Sequence, residues 1–558
     1  MFSLNKETTD IIDNVVDHTY EAVTSTMGIN GKLAIIANGT AVEVTKDGVT
    51  VARNITFADA KSEYVNKVIS ESAIKTDEEC GDGTTTTVFL TKHLYDLHRK
   101  YQGFVNHRFI ESLAQDTIRM LAEKSTQVTV ASPLLLNLAR TTANQDMSIA
   151  NKVVATYKDA ATRGTYPDIE VKDGVGSEDV VSVATGLPMS MYISDPVFSK
   201  DGMGGNTELK DFIPVVVDNR LGDMSGQIDQ VKLTNWYLKQ IEGRPQFTKI
   251  VFIARSIEES FKRAIARMNA NIAQQIGATE MPIFVGIGTG GAGASGTALM
   301  GDLATIVGGS VHSDLESVFA RSQINLCGTR IVVNMDRGMA YDIPAAIQRD
   351  IKLRSDDLRK VLNETKGQDR YSPKSRFIEK RLRDLNGELV TVYVGGETIS
   401  EIKERKARYV DVIKAVKSAL VNGVLPGMGT SLAKIGAAIY KARFDPKNQN
   451  QEYKAESERM RGVITDYCHQ LCKQYVLLLE SLRGEKIEDP NNYIQSILEY
   501  KTIPVLYDMT TGLKADDDTV LDAAYASITA LKGGLKVAKI LATTNVIITG
   551  AKHAAVAF

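Results

Sequence analysis

The chain has 558 residues, of which 43% are hydrophobic, 24% charged and 6% aromatic, and its formal net charge is −2. This length exceeds one ordinary core and predicts three or four structural units, because a domain holds about 150 residues. The nearly neutral charge gives no overall attraction to nucleic acid or to an anionic membrane, and no window approaches the ~20 apolar residues that cross a bilayer.

The N-terminus and the cysteines indicate the compartment. The first ten residues, MFSLNKETTD, lack the basic-then-apolar layout of a secretory signal. Four cysteines are too few for a disulfide scaffold of this size. We therefore expect a cytoplasmic protein with no nucleic-acid or membrane partner.

The N-terminal part predicts two helices separated by a hairpin. Residues 10–27 place apolar side chains on one helical face, and Gly28 can end this helix. The segments GKLAIIANG and TAVEVTKDGVTVAR alternate like two strands that turn at Asn38-Gly39. A second helix follows Gly83, and its predicted buried stripe consists of Val88, Phe89, Leu94 and Leu97.

The middle of the chain has a different hydrophobic pattern. From about residue 180 to 390, apolar strand-like runs such as FIPVVVD and KIVFIA alternate with helical segments, and beyond residue 405 the pattern becomes helical again. A helical, an α/β and a second helical block predict a discontinuous domain with another domain inserted in it. Glycines at the transitions, Gly186 and Gly395-Gly396, are candidate hinges.

The sharpest motif is Gly81-Asp82-Gly83 with a run of four threonines after it, at the start of the second helix. Two glycines let the backbone approach a bound group and adopt positive φ. The free N–H groups of a first helical turn attract anions, and a carboxylate between the glycines suits Mg²⁺ held against phosphate oxygens. The motif therefore predicts a phosphate site; a helix start capped by Asp82 is the alternative.

Two other turns fit either a nucleotide site or ordinary structure. The segment TKDGVTVAR contains Lys46 and Asp47 in an acidic turn, which alone is typical of hairpins. The segment TMGING, residues 26–31, places backbone amides near a ligand as readily as it caps a helix. The absence of a G-x-x-x-x-G-K-[ST] motif argues against a P-loop ATPase.

The glycine cluster at residues 286–293 follows the apolar run IFVGI and permits a dinucleotide-binding interpretation. However, the cluster has more glycines than one such fingerprint needs, and no convincing acidic ribose partner ends a strand about twenty residues later. A flexible loop is the favoured interpretation. The alternative is a nucleotide-dependent metabolic enzyme built on residues 286–297.

Taken in order, these segments resemble the GroEL-type, group I chaperonins. The resemblance is carried by TMGINGK, TKDGVTVAR, GDGTTTT, DLATIVGGSV, KARYVDVIKAVKSALVNGVLPGMG and VLDAAYASITALKGGLKVAKILATTNVIIT. It therefore extends over nearly the whole chain in collinear order. GDGTT is shared with the archaeal and eukaryotic group II rings, whereas TKDGVTVAR together with KAR-x-x-D favours group I.

The resemblance implies a multi-domain α and α/β fold. Residues 1–127 and 422–558 would form a discontinuous helical equatorial domain that binds ATP. Residues 128–185 and 389–421 would form a small intermediate hinge domain, and residues 186–388 an inserted α/β apical domain that binds client proteins.

The resemblance also implies one ATP pocket with Mg²⁺, and K⁺ is a candidate second ion. Asp82 is the implied Mg²⁺ ligand, Asp411 the residue that orients the attacking water, and Asp47 the residue that assists it. Asp522 is the implied ribose contact, and Asp508 falls near the base-contacting segment. The full implied nucleotide-binding set is Thr26, Met27, Gly28, Ile29, Lys46, Asp82, Gly83, Thr84, Thr85, Thr86, Met428, Asp508 and Asp522.

The family works as rings, commonly paired heptamers. The resemblance therefore implies a homo-oligomeric single or double ring, unfolded client proteins, and a cochaperonin lid as a candidate partner. Clients would bind an apolar apical surface, because several copies facing one cavity capture a chain without sequence-specific contacts. The candidate client contacts are Tyr192, Phe198, Val231, Leu233, Trp236, Leu238, Phe261 and Ile265; for each, core packing is the alternative.

We therefore expect an ATP-dependent chaperone that hydrolyses ATP. A catalytically inactive ring scaffold is a second alternative. The presence of Asp47, Asp82 and Asp411 argues against an inactive scaffold, because a site that no longer hydrolyses ATP does not need three converging carboxylates.

Overall fold

The computed structural model of the chain forms two compact units. The first unit consists of Met1–Lys158, Asp173–Asp179 and Val394–Phe558, and the second of Asp159–Lys172 and Val180–Tyr393. The structure describes residues 2–4, 6–28, 30–38, 41–184, 186–222, 230–245, 248–276, 283–290, 293–321, 323–368, 373–445, 451–508 and 511–549.

The division into two units differs in number from the three predicted domains. Residues of the predicted intermediate segments, 128–185 and 389–421, are distributed over both units. The three-domain boundaries therefore stay a prediction.

The N-terminal part of the first unit is mainly helical. Its elements are β1 (Phe2–Leu4), α1 (Lys6–Thr24), β2 (Ala34–Asn38), β3 (Ala41–Thr45), α2 (Gly48–Asn54), α3 (Ala60–Cys80), α4 (Thr84–Lys100), α5 (Phe104–Lys124), α6 (Pro133–Thr142) and α7 (Met147–Arg163). The two predicted helices are confirmed as α1 and α4. The predicted stripe of α4 is buried, as expected for its 3.6-residue spacing.

The predicted hairpin is confirmed only in its first part. Strands β2 and β3 pair antiparallel with Asn38 opposite Ala41, and Gly39 lies outside the described residues. The segment after Asp47 was expected to continue the strand, but it forms helix α2. The Asp47 carboxylate accepts hydrogen bonds from the N–H groups of Val49 and Thr50, each at 3.0 Å. This N-cap stabilises a helix start and overrides the alternating pattern.

The middle of the chain contains the larger sheets. Its elements are β4 (Tyr166–Asp173), β5 (Val180–Ala184), β6 (Leu187–Met189), β7 (Tyr192–Ile193), a 3₁₀ turn (Pro196–Phe198), β8 (Thr207–Leu209), β9 (Ile213–Leu221), α8 (Gln230–Gln240), β10 (Ile250–Ile257), α9 (Glu259–Ile276), β11 (Phe284–Gly288), α10 (Gly293–Val307), β12 (Val311–His312), α11 (Leu315–Phe319), β13 (Arg330–Val333), β14 (Gly338–Tyr341), α12 (Ala345–Gln368), α13 (Pro373–Leu385) and β15 (Gly387–Val394).

Two of these sheets organise the core of the second unit. A five-stranded sheet has the order β12-β9-β10-β11-β7, and its first four strands run parallel. A four-stranded antiparallel sheet has the order β6-β14-β13-β8. Strand β11 is buried throughout, and β9 and β10 are buried along their first five residues, as expected for parallel strands covered by helices on their faces.

The glycine cluster is partly strand and partly helix start. Gly286 and Gly288 belong to β11, so the prediction of a flexible loop is wrong for these two residues. A Cβ on Gly288 would lie 2.8 Å from Cζ of the Tyr192 ring, and a Cβ on Gly286 would lie 2.9 Å from Ser194 Oγ. These glycines let β7 and the segment after it pack closely on β11. Residues 291 and 292 lie outside the described residues.

The C-terminal part returns to the first unit. Its elements are α14 (Ile399–Asn422), β16 (Val424–Pro426), α15 (Thr430–Phe444), α16 (Gln451–Arg459), α17 (Arg461–Arg483), α18 (Pro490–Leu498), β17 (Leu506–Tyr507), β18 (Lys514–Ala515), β19 (Leu521–Ala523), α19 (Ala524–Thr543) and β20 (Val546–Ile548). Strands β1 and β20 pair antiparallel, which joins the two ends of the chain within this unit.

The predicted multi-domain α and α/β fold is confirmed, with the α/β segment inserted between two helical segments. Among the described helices, none combines the length and the apolar character that crossing a membrane requires.

Candidate functional site

The predicted phosphate motif forms a tight turn between α3 and α4. Gly81 and Gly83 have φ values of +72° and +93°, a conformation that side chains with a Cβ rarely adopt. Gly83 occupies the N-cap position of α4 and supplies no capping side chain. The Asp82 carboxylate accepts a hydrogen bond at 2.6 Å from the Gly83 N–H, ahead of the helix. The first turn of α4 therefore begins without a side-chain cap, as an anion site requires.

The threonines after this turn differ in their partners. Thr87 Oγ1 donates to the Gly83 carbonyl oxygen at 2.9 Å, and Thr86 Oγ1 accepts from Gln474 Nε2 at 2.9 Å. Thr84 is only 4% exposed, and its Oγ1 has no hydrogen-bond partner within the described part of the chain. An unsatisfied buried hydroxyl is destabilising by about 1–3 kcal/mol. The Thr84 hydroxyl therefore fits a site that a ligand oxygen completes.

Helix α14 packs directly on this turn. A Cβ added to Gly81 would lie 2.1 Å from Lys414 Cβ and 3.1 Å from the Asp411 carbonyl oxygen. Any residue other than glycine at position 81 would collide with α14. This close approach brings Asp411 beside the phosphate motif, although more than three hundred residues separate them in the sequence.

The carboxylates of this region influence each other electrostatically. Burial raises the pKa of Asp411 well above its ordinary value, and Asp47, Asp77 and Asp82 raise it further, whereas Lys414 lowers it. The pKa of Asp82 is also raised, chiefly because the surrounding protein desolvates its carboxyl, and Asp77 and Asp47 add to the shift. The Asp82 side chain is nevertheless exposed to solvent. A cation bound among these carboxylates would reduce their mutual repulsion, and the exposure of Asp82 makes its carboxylate accessible to one.

Asp47 and Thr26 reach the same place from two other segments. A Cβ added to Gly48, next to Asp47, would lie 2.2 Å from Thr85 Oγ1 and 3.8 Å from Thr26 Oγ1. The three predicted motifs, TMGING, TKDGVTVAR and GDGTTTT, therefore meet at Gly48. Since Asp47 also caps α2, its carboxylate is held in place by its own helix.

Asp522 approaches the cluster from the C-terminal part of the chain. It lies in β19 opposite Leu425, and its Oδ1 is 2.9 Å from the position of a Cβ on Gly427. Burial raises the pKa of Asp522 to about 7, with a further contribution from Asp82. Asp522 is therefore close enough to Asp82 for the two carboxylates to interact, and its ribose contact stays a prediction.

The remaining predicted nucleotide contacts have different surroundings. Lys46 is half-buried, and burial lowers its pKa, with help from Arg408. Met428 is buried, with φ +55°, the left-handed conformation that glycine adopts most easily. Asp508 accepts from the Thr511 N–H at 2.8 Å.

The turn after α1 contains three of the predicted nucleotide contacts, Thr26, Met27 and Gly28. Thr26 Oγ1 donates to the Val23 carbonyl oxygen at 2.8 Å, so this hydroxyl closes the end of α1. Met27 and Gly28 follow half-buried, and Gly28 has φ +80°. Ile29 lies outside the described residues.

The donor set agrees with Mg²⁺ held mainly by phosphate. No group of three or more His, Cys, Asp or Glu side chains in the described ranges is arranged to hold a metal by itself. Mg²⁺ in nucleotide sites uses one or two carboxylates together with substrate phosphates and water. Asp82 is the accessible carboxylate at the phosphate turn and fits the single-ligand role.

The predicted client contacts divide into two groups. The buried members belong to the core of the second unit and are Phe198, Leu233, Trp236, Phe261 and Ile265. The client-binding prediction is corrected for these five, because a side chain packed in the core does not meet a client. The exposed members are Tyr192, Val231 and Leu238, with 36%, 70% and 55% of their surface accessible.

The sequence reasoning missed several residues of the site. Asp77 precedes Gly81 by one helical turn, and Lys414 follows Asp411 by nearly one turn. Helical spacing therefore indicates that Asp77 lies on the same helix face as Gly81, and Lys414 on the same face as Asp411. Thr430 has a buried Oγ1 without a hydrogen-bond partner in the described structure, at the start of α15 after the left-handed Gly429. The dipeptide Gly-Thr, present at Gly429-Thr430 and at Gly83-Thr84, was the signal available in the sequence.

Comparisons with known proteins identify the family. The sequence profile of the TCP-1/cpn60 chaperonin family matches residues 20–185. The chain is 24% identical to the 60 kDa heat shock protein homolog 2, mitochondrial, of Drosophila melanogaster, over 82% of this chain and 76% of that protein. It is 24% identical to the mitochondrial heat shock protein 60 of Candida albicans, over 80% of this chain and 75% of that protein.

A solved structure is similar over the full length. The chaperonin gp146 from the bacteriophage EL 2 (Pseudomonas aeruginosa), crystallised in the presence of ATP-BeFx, is 36% identical to this chain in two crystal forms. The alignments cover 99% of this chain and 100% or 99% of that one, with TM-scores of 0.84 and 0.86.

The chain therefore belongs to the TCP-1/cpn60 chaperonin family. Within that family it is a divergent GroEL-type chaperonin, as the sequence predicted, and its role is that of an ATP-dependent chaperone. The alternative of a metabolic enzyme built on the glycine cluster is not favoured. Family members are ATPases that assemble into oligomeric rings and bind unfolded proteins.

Proposed function

We propose that this chain hydrolyses Mg·ATP in the cleft between the α3–α4 turn and α14. The observation that carries the proposal is the direct packing of Gly81 on Asp411 and Lys414, which unites Asp82 and Asp411. Support comes from gp146, which was crystallised with ATP-BeFx and matches this chain from end to end.

The phosphates would bind at the start of α4. The N–H groups of Thr84, Thr85 and Thr86 occupy the first turn, where an anion is favoured by the helix dipole. The unpaired Thr84 hydroxyl would donate to a phosphate oxygen. Asp522, from the C-terminal part of the chain, would accept hydrogen bonds from the ribose hydroxyls.

The carboxylates would divide the work of hydrolysis. Mg²⁺, held by Asp82, would neutralise phosphate charge. Asp411 would orient the attacking water and accept its proton, and its raised pKa suits that role. Asp47, fixed by its N-cap bonds, would assist from the other side.

We expect ATP turnover by the purified chain that requires Mg²⁺. Removal of the metal with EDTA should abolish phosphate release, and re-addition of Mg²⁺ should restore it, because the triphosphate charge is then neutralised again. The measurement is steady-state phosphate release. Turnover at an unchanged rate in EDTA would contradict the proposed site, and absent turnover in Mg²⁺ would contradict the proposed activity.

The exposed apolar residues of α8 form the proposed client surface, with Tyr192 on β7. Val231 and Leu238 are exposed, whereas Leu233 and Trp236 between them face the core. Exposed side chains of this size are suited to contact apolar segments of an unfolded chain.

We expect Val231→Glu/Leu238→Glu to impair capture of a chemically denatured client while ATP turnover stays within about twofold, because a charge opposes apolar contact. The measurement is suppression of client aggregation. The matched control is Lys239→Glu, which places a charge on a polar, exposed position of the same helix. Unimpaired capture by the double variant would exclude α8 as the client surface.

Two small sheets of the first unit are candidates for contacts between neighbouring copies in a ring. The β2–β3 hairpin carries the exposed side chains Ile35 and Val44, and the β1–β20 pair carries the exposed Ile548. Two-stranded sheets have backbone edges that are free to pair with another chain. We propose that these sheets join neighbouring copies in a ring, with seven subunits per ring expected and one or two rings. Light scattering measures the molar mass of the assembly in solution. A mass of 60.9 kDa, that of one chain, would contradict ring assembly.

The cytoplasm is the proposed compartment. All four cysteines, Cys80, Cys327, Cys468 and Cys472, are buried, and Cys327, Cys468 and Cys472 are free thiols, as is usual in a reducing environment. Fractionation of expressing cells tests this, and recovery in an organelle would contradict it.

A further inference from the structure

Lys414 is a cation that the structure places among the carboxylates of the candidate site. Its Nζ lies 2.9 Å from Asp77 Oδ2 and 3.4 Å from the Asp77 carbonyl oxygen. Because Lys414 follows Asp411 by three residues, both side chains lie on one face of α14. Lys414 is half-buried, and the Asp77 side chain is only 10% exposed.

Asp77 interacts with both the phosphate turn and helix α14. Its carbonyl oxygen accepts from the Gly81 N–H at 2.6 Å, which closes the end of α3 at the phosphate turn. Its carboxylate pairs with Lys414 on α14. One residue therefore connects the backbone of the phosphate turn with the helix that carries Asp411.

The aliphatic part of the Lys414 side chain packs against Gly81 in the phosphate turn. A Cβ on Gly81 would be 2.1 Å from Lys414 Cβ and 2.9 Å from Lys414 Cδ. This contact leaves no room for α14 to move closer, and the ion pair with Asp77 opposes movement away. The separation between Asp411 and the turn is thus fixed from both directions.

We propose that Lys414 is a positioning residue for ATP hydrolysis, whose ion pair with Asp77 fastens α14 to the phosphate turn and so places Asp411 over the triphosphate. This inference rests on the proposed function. Lys414 acts through Asp77 and α14, and does not itself contact the nucleotide. A displacement of about 1 Å in a group that orients a reactant lowers a rate by as much as about 10²-fold.

Removal of the Lys414 charge alone also affects stability. It would leave the Asp77 carboxylate, which is only 10% exposed, without its cation, so Lys414→Met is expected to lower the melting temperature as well as the rate. Asp77→Asn/Lys414→Met removes both charges and keeps the aliphatic packing on Gly81, so this variant is expected to fold with little loss of stability. The double variant therefore separates positioning from folding in an experiment.

We expect Lys414→Met to lower kcat by about 10- to 100-fold. The dissociation constant for the non-hydrolysable analogue AMP-PNP should stay within about threefold. The melting temperature of Asp77→Asn/Lys414→Met should remain near that of the wild type, although its kcat should be low. Lys414→Arg should recover most of kcat, because a guanidinium also pairs with Asp77. Asp77→Asn combined with Lys414→Met should be no worse than the stronger single variant, since the two residues act as one unit.

Lys403→Met is the matched control, because Lys403 is exposed on the same helix outside the site; it should keep wild-type kcat. Wild-type kcat in Lys414→Met would overturn the positioning role. A loss of AMP-PNP affinity equal to the loss of kcat would also overturn it, because Lys414 would then bind phosphate directly. Absent turnover in the wild-type chain would instead overturn the proposed function.

Discussion

Asp82→Ala is expected to reduce Mg-dependent ATP turnover by at least about 10²-fold. Asp82 is the accessible carboxylate between two left-handed glycines, immediately before the uncapped first turn of α4. Without it, the phosphate charge in the cleft is no longer balanced by a bound cation. The measurement is steady-state phosphate release over a range of Mg²⁺ concentrations.

The control for this variant is Asp168→Ala, which removes an exposed carboxylate from β4 in the other unit. It should hydrolyse ATP as the wild type does. The metal assignment would fail if Asp82→Ala kept normal turnover with an unchanged Mg²⁺ requirement.

Asp411→Ala is expected to bind ATP and hydrolyse it very slowly. Removal of a group that orients water and accepts its proton lowers a rate by about 10²- to 10⁴-fold. Binding should persist because the phosphate turn, with Asp82 and the threonines, is built by residues 81–87. Loss of a half-buried carboxylate whose pKa is raised also relieves repulsion with Asp47, Asp77 and Asp82.

A single-turnover experiment separates these effects. It measures nucleotide bound after rapid mixing and phosphate released later from the same complex. Bound ATP that persists unhydrolysed supports the role of Asp411. Rapid hydrolysis by Asp411→Ala would refute it, and failure to bind ATP would show that Asp411 serves binding rather than the water.

The local parts of the site were predictable from sequence. Gly81-Asp82-Gly83 followed by threonines contains the information for a turn and an open helix start, and both are present. The stripe of α4 and the paired strands β2 and β3 also follow from short-range periodicity. These features depend on residues that are neighbours in the chain.

Errors arose where one local signal overrode another. The alternation after Asp47 suggested a strand, but the two capping bonds of its carboxylate start α2 instead. On α8 and α9, apolar residues were assigned to clients although Leu233 and Phe261 pack in the core. Periodicity identifies an apolar face but does not tell whether another element covers it.

Long-range convergence was implied by the resemblance to a family, not by residue patterns. Nothing near Asp411 in the sequence indicates that Gly81 packs against it. The Asp77–Lys414 pair was missed for the same reason, because its two partners meet only when α3 and α14 pack together. Contacts of this kind depend on the tertiary fold.

The most direct test is a high-resolution structure of the chain with Mg·ADP·BeFx. We predict an Asp82 oxygen at about 2.1 Å from Mg²⁺, and the Asp411 carboxylate within hydrogen-bond distance of a water that faces the beryllium fluoride. A nucleotide bound elsewhere, or Asp82 and Asp411 on separate surfaces with the nucleotide present, would contradict this prediction.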